Sequence, residues 1–430
     1  MNAPLKIAVA GLGTVGAGTV QLLQRQADHL TLRAGRPLVV AAVSARDKNR
    51  DRGADLSAAR WYDDAVALAA DPEIDIVVEL IGGSDGIGRQ VVETALAHKK
   101  HVVTANKALM AEHGTALAEE AEAAGVSLAF EAAVAGGIPI IKTLREGLVG
   151  NRLGRVYGIL NGTTNYILTT MRESGRDFGE VLAEAQALGY AEADPSFDID
   201  GVDASHKLAI LASVAFGRPV DLAGVYCEGI RHISALDIGF AEELGYRIKL
   251  LGIARLTDHG LEQRVHPCMV RRAAPIAAVE GVFNGVVAEG DFVGQLMLEG
   301  RGAGAGPTAS AVVADIVDIA PGRRVPPFGV PVGSLARIAG APMESHRGAY
   351  YIRLMVVDQP GVIADVAAAL RDEAVSLESM IQRGRSESEA VPVVLTTHVT
   401  VEAAMRKALA AIGTFNSVLE PPRMIRIEDF

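Results

Sequence analysis

A glycine-rich turn directly after the first apolar run is the feature that most constrains the fold of this chain. Residues 5–10 (LKIAVA) are strand-like, and residues 11–16 (GLGTVG) follow them and open a helical pattern. Gly11 permits a tight turn, Gly13 lets the backbone approach a pyrophosphate, and Gly16 lets the helix pack against the strand. The helix start also presents free N–H groups to the phosphates. The pattern predicts dinucleotide contacts at Gly11, Gly13, Thr14, Val15 and Gly16, although a plain strand-to-helix turn is the alternative.

The end of the second strand candidate, residues 38–43, bears on which dinucleotide binds. NAD-preferring sites usually carry an acidic residue at this point, which holds the ribose hydroxyls. This chain instead has Ser44, Arg46 and Lys48 here, with Asp47 between the two cations. A hydroxyl and two cations favour a 2′-phosphate, so we predict NADP rather than NAD. Use of both cofactors stays open, as does the interpretation of Arg46 and Lys48 as ordinary loop charges.

The N-terminal third alternates strand and helix patterns. Strand candidates lie at 5–10, 38–43, 74–80, 101–103 and 126–130, and helical patterns at 14–28, 86–98 and 109–124. This alternation is typical of a doubly wound parallel sheet. Hydrophobic residues make up 49% of the chain and aromatic residues 4%, as suits buried aliphatic strands covered by alanine-rich helices.

The middle of the chain changes pattern and predicts an α+β domain with a mainly antiparallel sheet. Helix candidates lie at 138–147, 177–188 and 200–216, and strand candidates at 154–160, 225–227, 247–254, 263–270 and 292–299. Residues 301–320 return to a glycine turn and an apolar helix. Residues 321–347 include Pro321, Pro326, Pro327 and Pro331 and show no clear period, which indicates a linker.

The C-terminal segment is predicted to have a ferredoxin-like order of elements. Its candidates are β 350–357, α 362–372, β 375–382, β 391–400, α 402–412 and β 423–428. We therefore predict an α/β protein with a Rossmann-type parallel sheet, an α+β catalytic and dimerisation domain, and this small third domain. The expected boundaries are 1–135 with about 301–320, then 136–300, a linker at 321–347, and 348–430.

Composition excludes several classes of protein. The net charge of −11 argues against a surface that binds nucleic acid. Two cysteines, Cys227 and Cys268, make neither a disulfide framework nor a zinc motif. No apolar run approaches the roughly 20 residues that span a bilayer, and the start shows no signal peptide. We expect a cytoplasmic protein without a membrane partner.

Residues 189–207 (GYAEADPSFDIDGVDASHK) form a polar constellation beside an apolar helix. Asp203 and Lys207 are four residues apart and share one helix face. One interpretation is an exposed ion pair of little energetic value. A calcium loop is a second, but Phe197 and Ile199 interrupt the required ligand order. The third is catalytic, because a lysine ammonium can protonate an alkoxide as hydride reaches a carbonyl.

The run at 189–207 resembles the most diagnostic stretch of homoserine dehydrogenases. Residues 104–107 (TANK), 131–139 (EAAVAGGIP) and 161–166 (NGTTNY) are similar to other segments of that family. The resemblance covers about residues 5–320 and shows no departure at catalytic positions. It implies interconversion of L-homoserine and L-aspartate 4-semialdehyde in threonine, methionine and isoleucine biosynthesis, by an oxidoreductase acting on a CH–OH group. We expect the monofunctional form, without an aspartate-kinase module.

The resemblance also implies site residues. The catalytic residues are Lys207, as proton donor and acceptor, and Lys107. Homoserine is implied to contact Glu192, Asp203, Gly162, Thr163 and Tyr190. Further cofactor contacts are Thr104, Lys107, Gly189 and Gly306. A monovalent cation, expected to be Na⁺, is implied at Glu131, Val134, Gly136 and Ile138, largely through main-chain carbonyls.

Residues 302–308 (GAGAGPT) form a second glycine loop. We expect it to close over the nicotinamide half of the cofactor, and a flexible return to the first domain is the alternative.

The turn at 358–361 (DQPG) resembles that of ACT domains, which pair edge to edge and bind amino acids nearby. The resemblance implies feedback inhibition by L-threonine and a homodimer or homotetramer. A purely oligomerising role is the alternative.

Two other functions remain open from the sequence. One is a non-enzymatic sensor of nucleotide and amino acid, which would not need a helix-borne lysine among carboxylates. The other is a different NADP-linked semialdehyde or amino-acid reductase. An enzyme of that kind acting by acylation would need a reactive cysteine, and neither cysteine lies in a glycine-rich or histidine-paired context.

Overall fold

The computed structural model describes residues 3–383 and 390–430. The chain divides into two compact units. The first unit comprises Met1–Gly162, Asp203–Val225 and Val282–Ile338. The second unit comprises Thr163–Val202, Tyr226–Gly281 and Ala339–Phe430. The predicted division into four segments remains a prediction.

A parallel sheet of six strands forms the N-terminal part of the first unit. Its elements are β1 (Leu5–Ala10), α1 (Thr14–Arg25), α2 (Ala27–Ala34), β2 (Leu38–Ser44), β3 (Arg60–Tyr62), α3 (Ala65–Ala70), β4 (Ile76–Glu79), α4 (Ile87–Ala97), β5 (His101–Thr104), α5 (Lys107–Ala124) and β6 (Leu128–Ala129). The strand order β3-β2-β1-β4-β5-β6 is that of a Rossmann dinucleotide-binding fold. The predicted N-terminal fold is confirmed.

Two details of this sheet differ from the sequence prediction. The helix expected over 14–28 ends at Arg25, and α2 begins at Ala27 and ends before Gly35, which has a φ of 71°. The strand β3 and the helix α3 were not predicted. β3 has only three residues, none of them buried, so it has no apolar periodicity to detect.

The middle of the chain contributes to both units. Its elements are α6 (Ile140–Lys142), β7 (Leu153–Ile159), α7 (Gly162–Ser174), α8 (Phe178–Ala187), α9 (Ser196–Ile199), α10 (Val202–Phe216), β8 (Tyr226–Cys227), α11 (Ala235–Glu243), β9 (Tyr246–Thr257), β10 (Gly260–Arg271), β11 (Phe283–Gly290), β12 (Gly294–Arg301) and α12 (Ala305–Ile319). In the first unit, β11 pairs antiparallel with both β7 and β12. In the second unit, β9 and β10 form a long antiparallel hairpin. The predicted antiparallel character is confirmed, whereas α7, α11 and β11 were missed.

The C-terminal part of the second unit has the predicted ferredoxin-like order. Its elements are β13 (Arg347–Val356), α13 (Val362–Asp372), β14 (Leu377–Gln382), β15 (Val391–Thr397), β16 (Thr400–Val401), α14 (Glu402–Ile412) and β17 (Arg423–Glu428). β13 pairs antiparallel with β15 and β17, and β17 also pairs parallel with β10. Both helices pack their apolar faces on the sheet, around Ile352, Leu354 and Val393.

Among the described residues, no helix is long and apolar enough to cross a membrane.

Candidate active site

The glycine turn after β1 has the geometry that its sequence predicts. Gly11 has a φ of 98°, and a Cβ at Gly11 would lie 2.5 Å from the carbonyl oxygen of Leu80. A Cβ at Gly16 would lie 1.9 Å from the carbonyl oxygen of Gly11. These distances admit only glycine at both positions, because any side chain would force helix α1 away from the strands.

The N-terminus of α1 is open to a ligand. A Cβ at Gly13 would meet no atom within 4 Å, and no side chain caps the helix there. Gly13 and Thr14 are exposed, and Val15 is half-buried. The first N–H groups of a helix have no intrahelical acceptor, so this end can receive an anion such as a pyrophosphate.

The loop after β2 carries more cations than the two that were predicted to select the cofactor. Arg46 and Lys48 are exposed, and the Lys48 Nζ lies 5.9 Å from the centre of the Trp61 ring. Arg52 lies against the same ring, at 5.7 Å, and its Nε donates to the Leu12 carbonyl at 3.2 Å. Arg52 therefore ties the loop to the glycine turn. Sequence reasoning missed this residue, and the only signal was the density of cations in the loop.

The second glycine loop opens α12 beside the first. The Gly304 φ is 114°, and Gly304 is the residue before α12. A Cβ at Gly18 of α1 would lie 3.0 Å from the Ala305 carbonyl oxygen, so the two helix starts are close. Gly306 has open space where a Cβ would be. The two glycine loops thus lie together in the first unit.

Three charged residues converge in the first unit, and all three were named from the sequence. The Lys207 Nζ donates to Asp203 Oδ2 at 2.7 Å and to the Leu160 carbonyl at 2.7 Å. The Lys107 Nζ forms an ion pair with Asp203 Oδ1. Asn161 donates from Nδ2 to Asp203 Oδ2 at 2.9 Å. We call Lys107, Asp203 and Lys207 the lysine–aspartate cluster.

Two elements position the cluster. Helix α10 is buried along nearly its whole length, so its one-turn spacing brings Asp203 and Lys207 together away from solvent. Lys107 is the first residue of α5, at the carboxyl end of β5, where parallel sheets place their ligand sites. The amide oxygen of Asn106 caps α5 by accepting from the Leu109 N–H at 3.1 Å.

A buried carboxylate braces the segment before Lys107. Glu79 is fully buried and accepts from the Thr104 hydroxyl at 2.6 Å. It also accepts from the backbone N–H groups of Ile81 and Gly82, at 2.7 and 3.0 Å. The predicted cofactor contact Thr104 is thereby held in one orientation. Glu79 was not named from the sequence, although an acidic residue closing an apolar strand was a usable signal.

The cluster carries one carboxylate and two ammonium groups. The side chains of Asp203, Lys207 and Lys107 are 3%, 11% and 35% exposed, so only Lys107 reaches solvent appreciably. Burial raises the pKa of Asp203, but the ammonium groups of Lys207 and Lys107 outweigh it and hold that pKa below its usual value. The carboxyl is therefore ionised at neutral pH and orients both lysines. A site of this kind can hold a polar substrate and move a proton at a lysine nitrogen.

The other predicted substrate residues divide between the units. Gly162 belongs to the first unit, and Thr163, Gly189, Tyr190 and Glu192 belong to the second. Within the second unit, the Thr163 hydroxyl donates to the Tyr190 carbonyl at 2.8 Å. The Glu192 carbonyl accepts from Gln186 at 3.0 Å. The structure thus joins Thr163 and Tyr190 directly.

The predicted cation loop surrounds a buried acid. Both carboxylate oxygens of Glu131 accept backbone N–H groups, from Ile141 at 2.9 Å and Lys142 at 2.8 Å. Burial, followed by the nearby charge of Asp315, raises the pKa of Glu131 to about 7.

The turn after Glu131 is tightly constrained. Ala135 and Gly136 have φ values of 54° and 43°, and a Cβ at Gly136 would lie 2.5 Å from the Gly302 carbonyl oxygen. Carbonyl oxygens are suitable ligands for a hard monovalent cation, and Val134, Gly136 and Ile138 supply them around this turn. The donor set fits the predicted ion.

Comparisons with known proteins match almost the whole chain. Family models match at residues 11–131 (homoserine dehydrogenase, NAD-binding domain), 139–317 (homoserine dehydrogenase) and 350–414 (ACT domain). A homoserine dehydrogenase of Pseudomonas aeruginosa is 48% identical over 434 residues, with 99% of each chain covered. One of Neisseria gonorrhoeae is 46% identical over 431 residues, again with 99% of each chain covered.

Solved structures agree. A homoserine dehydrogenase from Thiobacillus denitrificans superposes with a TM-score of 0.94 at 47% identity, covering 99% of this chain and 98% of that one. The Staphylococcus aureus enzyme at pH 7.5 gives 0.79 at 31% identity, with both chains fully covered. A hyperthermophilic archaeal homoserine dehydrogenase in complex with NADPH gives 0.63 at 27% identity, covering 73% of this chain and 97% of that one.

Proposed function

Because the chain belongs to the homoserine dehydrogenase family, we propose that it interconverts L-homoserine and L-aspartate 4-semialdehyde, with Lys207 moving the proton. The observation that carries the proposal is the lysine–aspartate cluster, in which Lys207 is fixed 2.7 Å from both a carboxylate and a carbonyl oxygen. These two acceptors hold the Lys207 side chain in one orientation, from which its nitrogen can exchange a proton with a reacting oxygen.

The chain's own residues have a limited task in this reaction. When bound, the nicotinamide supplies or accepts the hydride. In the reducing direction, the Lys207 ammonium gives one proton to the oxygen that receives negative charge, which yields the hydroxyl group. In the oxidising direction, the neutral amine takes the hydroxyl proton. Asp203 keeps Lys207 in place, and Lys107 adds positive charge beside the developing alkoxide.

The substrate contacts follow from family membership. We propose that Glu192 and Asp203 hold the amino group and the hydroxyl region of homoserine, and that Gly162, Thr163 and Tyr190 line the pocket. The hydrogen bond from Thr163 to Tyr190 supports this assignment, because it fixes two of these residues relative to each other.

We propose NADP as the preferred cofactor. The exposed cations Arg46 and Lys48 offer a 2′-phosphate partners at the end of β2. Arg52, anchored to the glycine turn, adds a third positive charge to the same loop. The archaeal relative that was solved with NADPH supports the choice. Gly189 and Gly306 are proposed as further nucleotide contacts.

Regulation and assembly are proposed from the ACT domain. We propose that it binds L-threonine, that the enzyme serves threonine, methionine and isoleucine biosynthesis in the cytoplasm, and that it is a homodimer or homotetramer. Na⁺ is the proposed ion at Glu131, Val134, Gly136 and Ile138. Loss of activity at millimolar threonine would support the effector role, and undiminished activity would favour a purely oligomerising domain.

Following NADPH absorbance with the purified chain and L-aspartate 4-semialdehyde tests the proposed activity. We expect NADPH consumption that requires the semialdehyde, together with reduction of NADP⁺ when L-homoserine is supplied instead. NADPH binding without turnover would point to the sensor. Turnover of other semialdehydes but not this one would point to another reductase.

A further inference from the structure

A cleft of about 280 Å³ lies within the second unit. None of the residues that line it belongs to the lysine–aspartate cluster or to the ACT turn at 358–361. One wall comes from the segment at 226–237, and the other from α14 and β17. This volume is many times the roughly 10–15 Å³ that holds a single water molecule, so the cleft has room for several non-hydrogen atoms. It is large enough for a small metabolite.

The base of the cleft is a balanced network of charges. Glu402 is fully buried and accepts from Arg426 Nη2 at 2.6 Å and from Arg406 Nε at 2.8 Å. Arg426, only 1% exposed, also pairs through Nη1 with Glu228 at 2.8 Å. Two guanidinium groups thus meet two carboxylates. Their charges cancel, and this network by itself attracts no ion.

Arg423 disturbs the balance. It lines the cleft at the start of β17 and is half-buried, and its guanidinium forms no hydrogen bond or ion pair with any residue in 3–383 or 390–430. A guanidinium is charged at every physiological pH. The cleft therefore has one uncompensated positive charge, in a chain whose net charge is −11. A carboxylate matches the fork geometry of a guanidinium and would complete the balance.

Asp237 also lines the cleft, but its carboxylate is paired with Arg353 at 2.7 Å. The rest of the lining is largely apolar. Ile233, Leu409, Met424 and Ile425 line the cleft beside the arginines. A purely ionic ligand would leave this surface in contact with water, whereas a short aliphatic chain would cover it. Each buried methylene contributes about 0.8 kcal/mol.

We propose that this cleft binds a small aliphatic carboxylate, with its carboxylate on Arg423 and its hydrocarbon chain against Leu409 and Met424. The ligand would contact both the 226–237 segment and the C-terminal strand β17. Binding therefore stabilises the folded second unit, because a ligand that binds only the folded state raises its stability by mass action.

The test uses the full chain and 3-methylbutanoate as the probe, at constant ionic strength. We expect a saturable rise in Tm and a 1:1 binding isotherm in titration calorimetry. Acetate and 3-methylbutan-1-ol should each give at most a tenth of the affinity, because one lacks the chain and the other the charge. Equal binding of acetate, or no binding of 3-methylbutanoate, overturns the proposal.

Two variants locate the binding. Arg423→Gln should weaken 3-methylbutanoate binding at least tenfold, and Met424→Ser should weaken it severalfold. The matched control is Arg371→Gln, since Arg371 is an arginine of the same C-terminal part that pairs with Asp372 on the surface, outside the cleft. Binding that survives Arg423→Gln, or falls equally in Arg371→Gln, would place the ligand elsewhere and refute the site.

Discussion

Two buried charge clusters in this molecule are built on opposite rules. In the lysine–aspartate cluster of the first unit, two ammonium groups share the single carboxylate of Asp203. In the second unit, the guanidinium of Arg426 pairs with two carboxylates, Glu402 and Glu228. Glu402 also pairs with Arg406, and Glu228 also accepts a hydrogen bond from the Tyr226 hydroxyl. The first cluster carries an excess positive charge, and the second is balanced.

The difference separates chemistry from stability. A buried charge costs several kcal/mol unless a partner compensates it. The balanced network uses all its charges on one another, so it can only hold the fold. The lysine–aspartate cluster has one more positive than negative charge, and its Lys107 side chain is 35% exposed. This excess charge can stabilise an alkoxide. Disrupting the first should therefore affect turnover, and disrupting the second should affect folding.

The largest effect is expected for Lys207→Met. Removing the group that we propose moves the proton should lower kcat by roughly 10²- to 10⁴-fold, the usual contribution of general acid–base catalysis. Cofactor binding should stay near normal, because the glycine turn is untouched. Steady-state kinetics and NADPH fluorescence titration measure the two quantities.

Lys100→Met is the matched control for that variant. Lys100 is also buried in the first unit, and its ammonium also donates to main-chain carbonyls, those of Asp71 and Ile74. Its loss should lower Tm while kcat stays within about twofold. Equal loss of kcat in both variants would mean that burial of a lysine, rather than its place in the cluster, matters.

The next effect is expected for Arg426→Met in the balanced network. It leaves Glu402, which is fully buried, without its main partner, and breaking a buried pair costs about 3–5 kcal/mol. Urea unfolding should show this loss, while kcat of the folded enzyme changes little. The double variant Arg426→Met with Glu402→Gln should recover part of the stability, since the unpaired charge is gone. A kcat loss as large as that of Lys207→Met would contradict the separation.

Glu131 provides a third case, a buried carboxylate that is held mainly by backbone N–H groups. Its pKa of about 7 in the folded chain exceeds the ordinary value of 4.5. Between these values the unfolded chain has lost a proton that the folded chain keeps, so stability must fall as pH rises from 4.5 to 7. The loss attributable to Glu131 is about 3 kcal/mol at 1.36 kcal/mol per pKa unit.

Urea unfolding across that pH range, with tetramethylammonium as the only monovalent cation, measures this slope. Glu131→Gln should flatten it, because the amide does not titrate. Sodium chloride should flatten it in the wild type as well, if Na⁺ binds beside Glu131. A slope that is unchanged in Glu131→Gln would assign the titration to another group.

Sequence reasoning reached most of this fold and the centre of the candidate site. The parallel sheet was predictable, apart from β3, because its other strands are largely continuous apolar runs, such as 5–10. Asp203 and Lys207 could be placed on one helix face from their spacing alone. The meeting of Lys107 with this pair required a family resemblance, because nothing local joins residues that are about 100 positions apart.

What the sequence missed depends on tertiary contacts. Glu79 and Arg52 act through hydrogen bonds to Thr104 and to Leu12, which no periodic pattern encodes. The strand β11 (Phe283–Gly290) contains two glycines and an asparagine among its valines, so its β-propensity is weak, and pairing with β7 and β12 determines it.

The smallest effect is expected for Arg406→Gln, which removes the other arginine on Glu402. Arg406 and Arg426 bind the same carboxylate, but the Arg406 side chain is 45% exposed and that of Arg426 is 1% exposed. Only the Arg406 end of this pair faces solvent, where water can replace the guanidinium, and Arg426 still compensates Glu402 when Arg406 is removed. The loss should therefore stay near the value of about 0.3–0.5 kcal/mol for ion pairs one helical turn apart. We therefore expect Arg406→Gln to lower the free energy of unfolding by less than about 1 kcal/mol in urea titrations, whereas Arg426→Met should lower it by about 3–5 kcal/mol.

High salt should abolish the small loss caused by Arg406→Gln and leave the large loss caused by Arg426→Met, because salt screens only the solvent-facing Arg406. Equal losses in the two variants would show that the charge balance around Glu402, and not the burial of Arg426, sets the stability of this network.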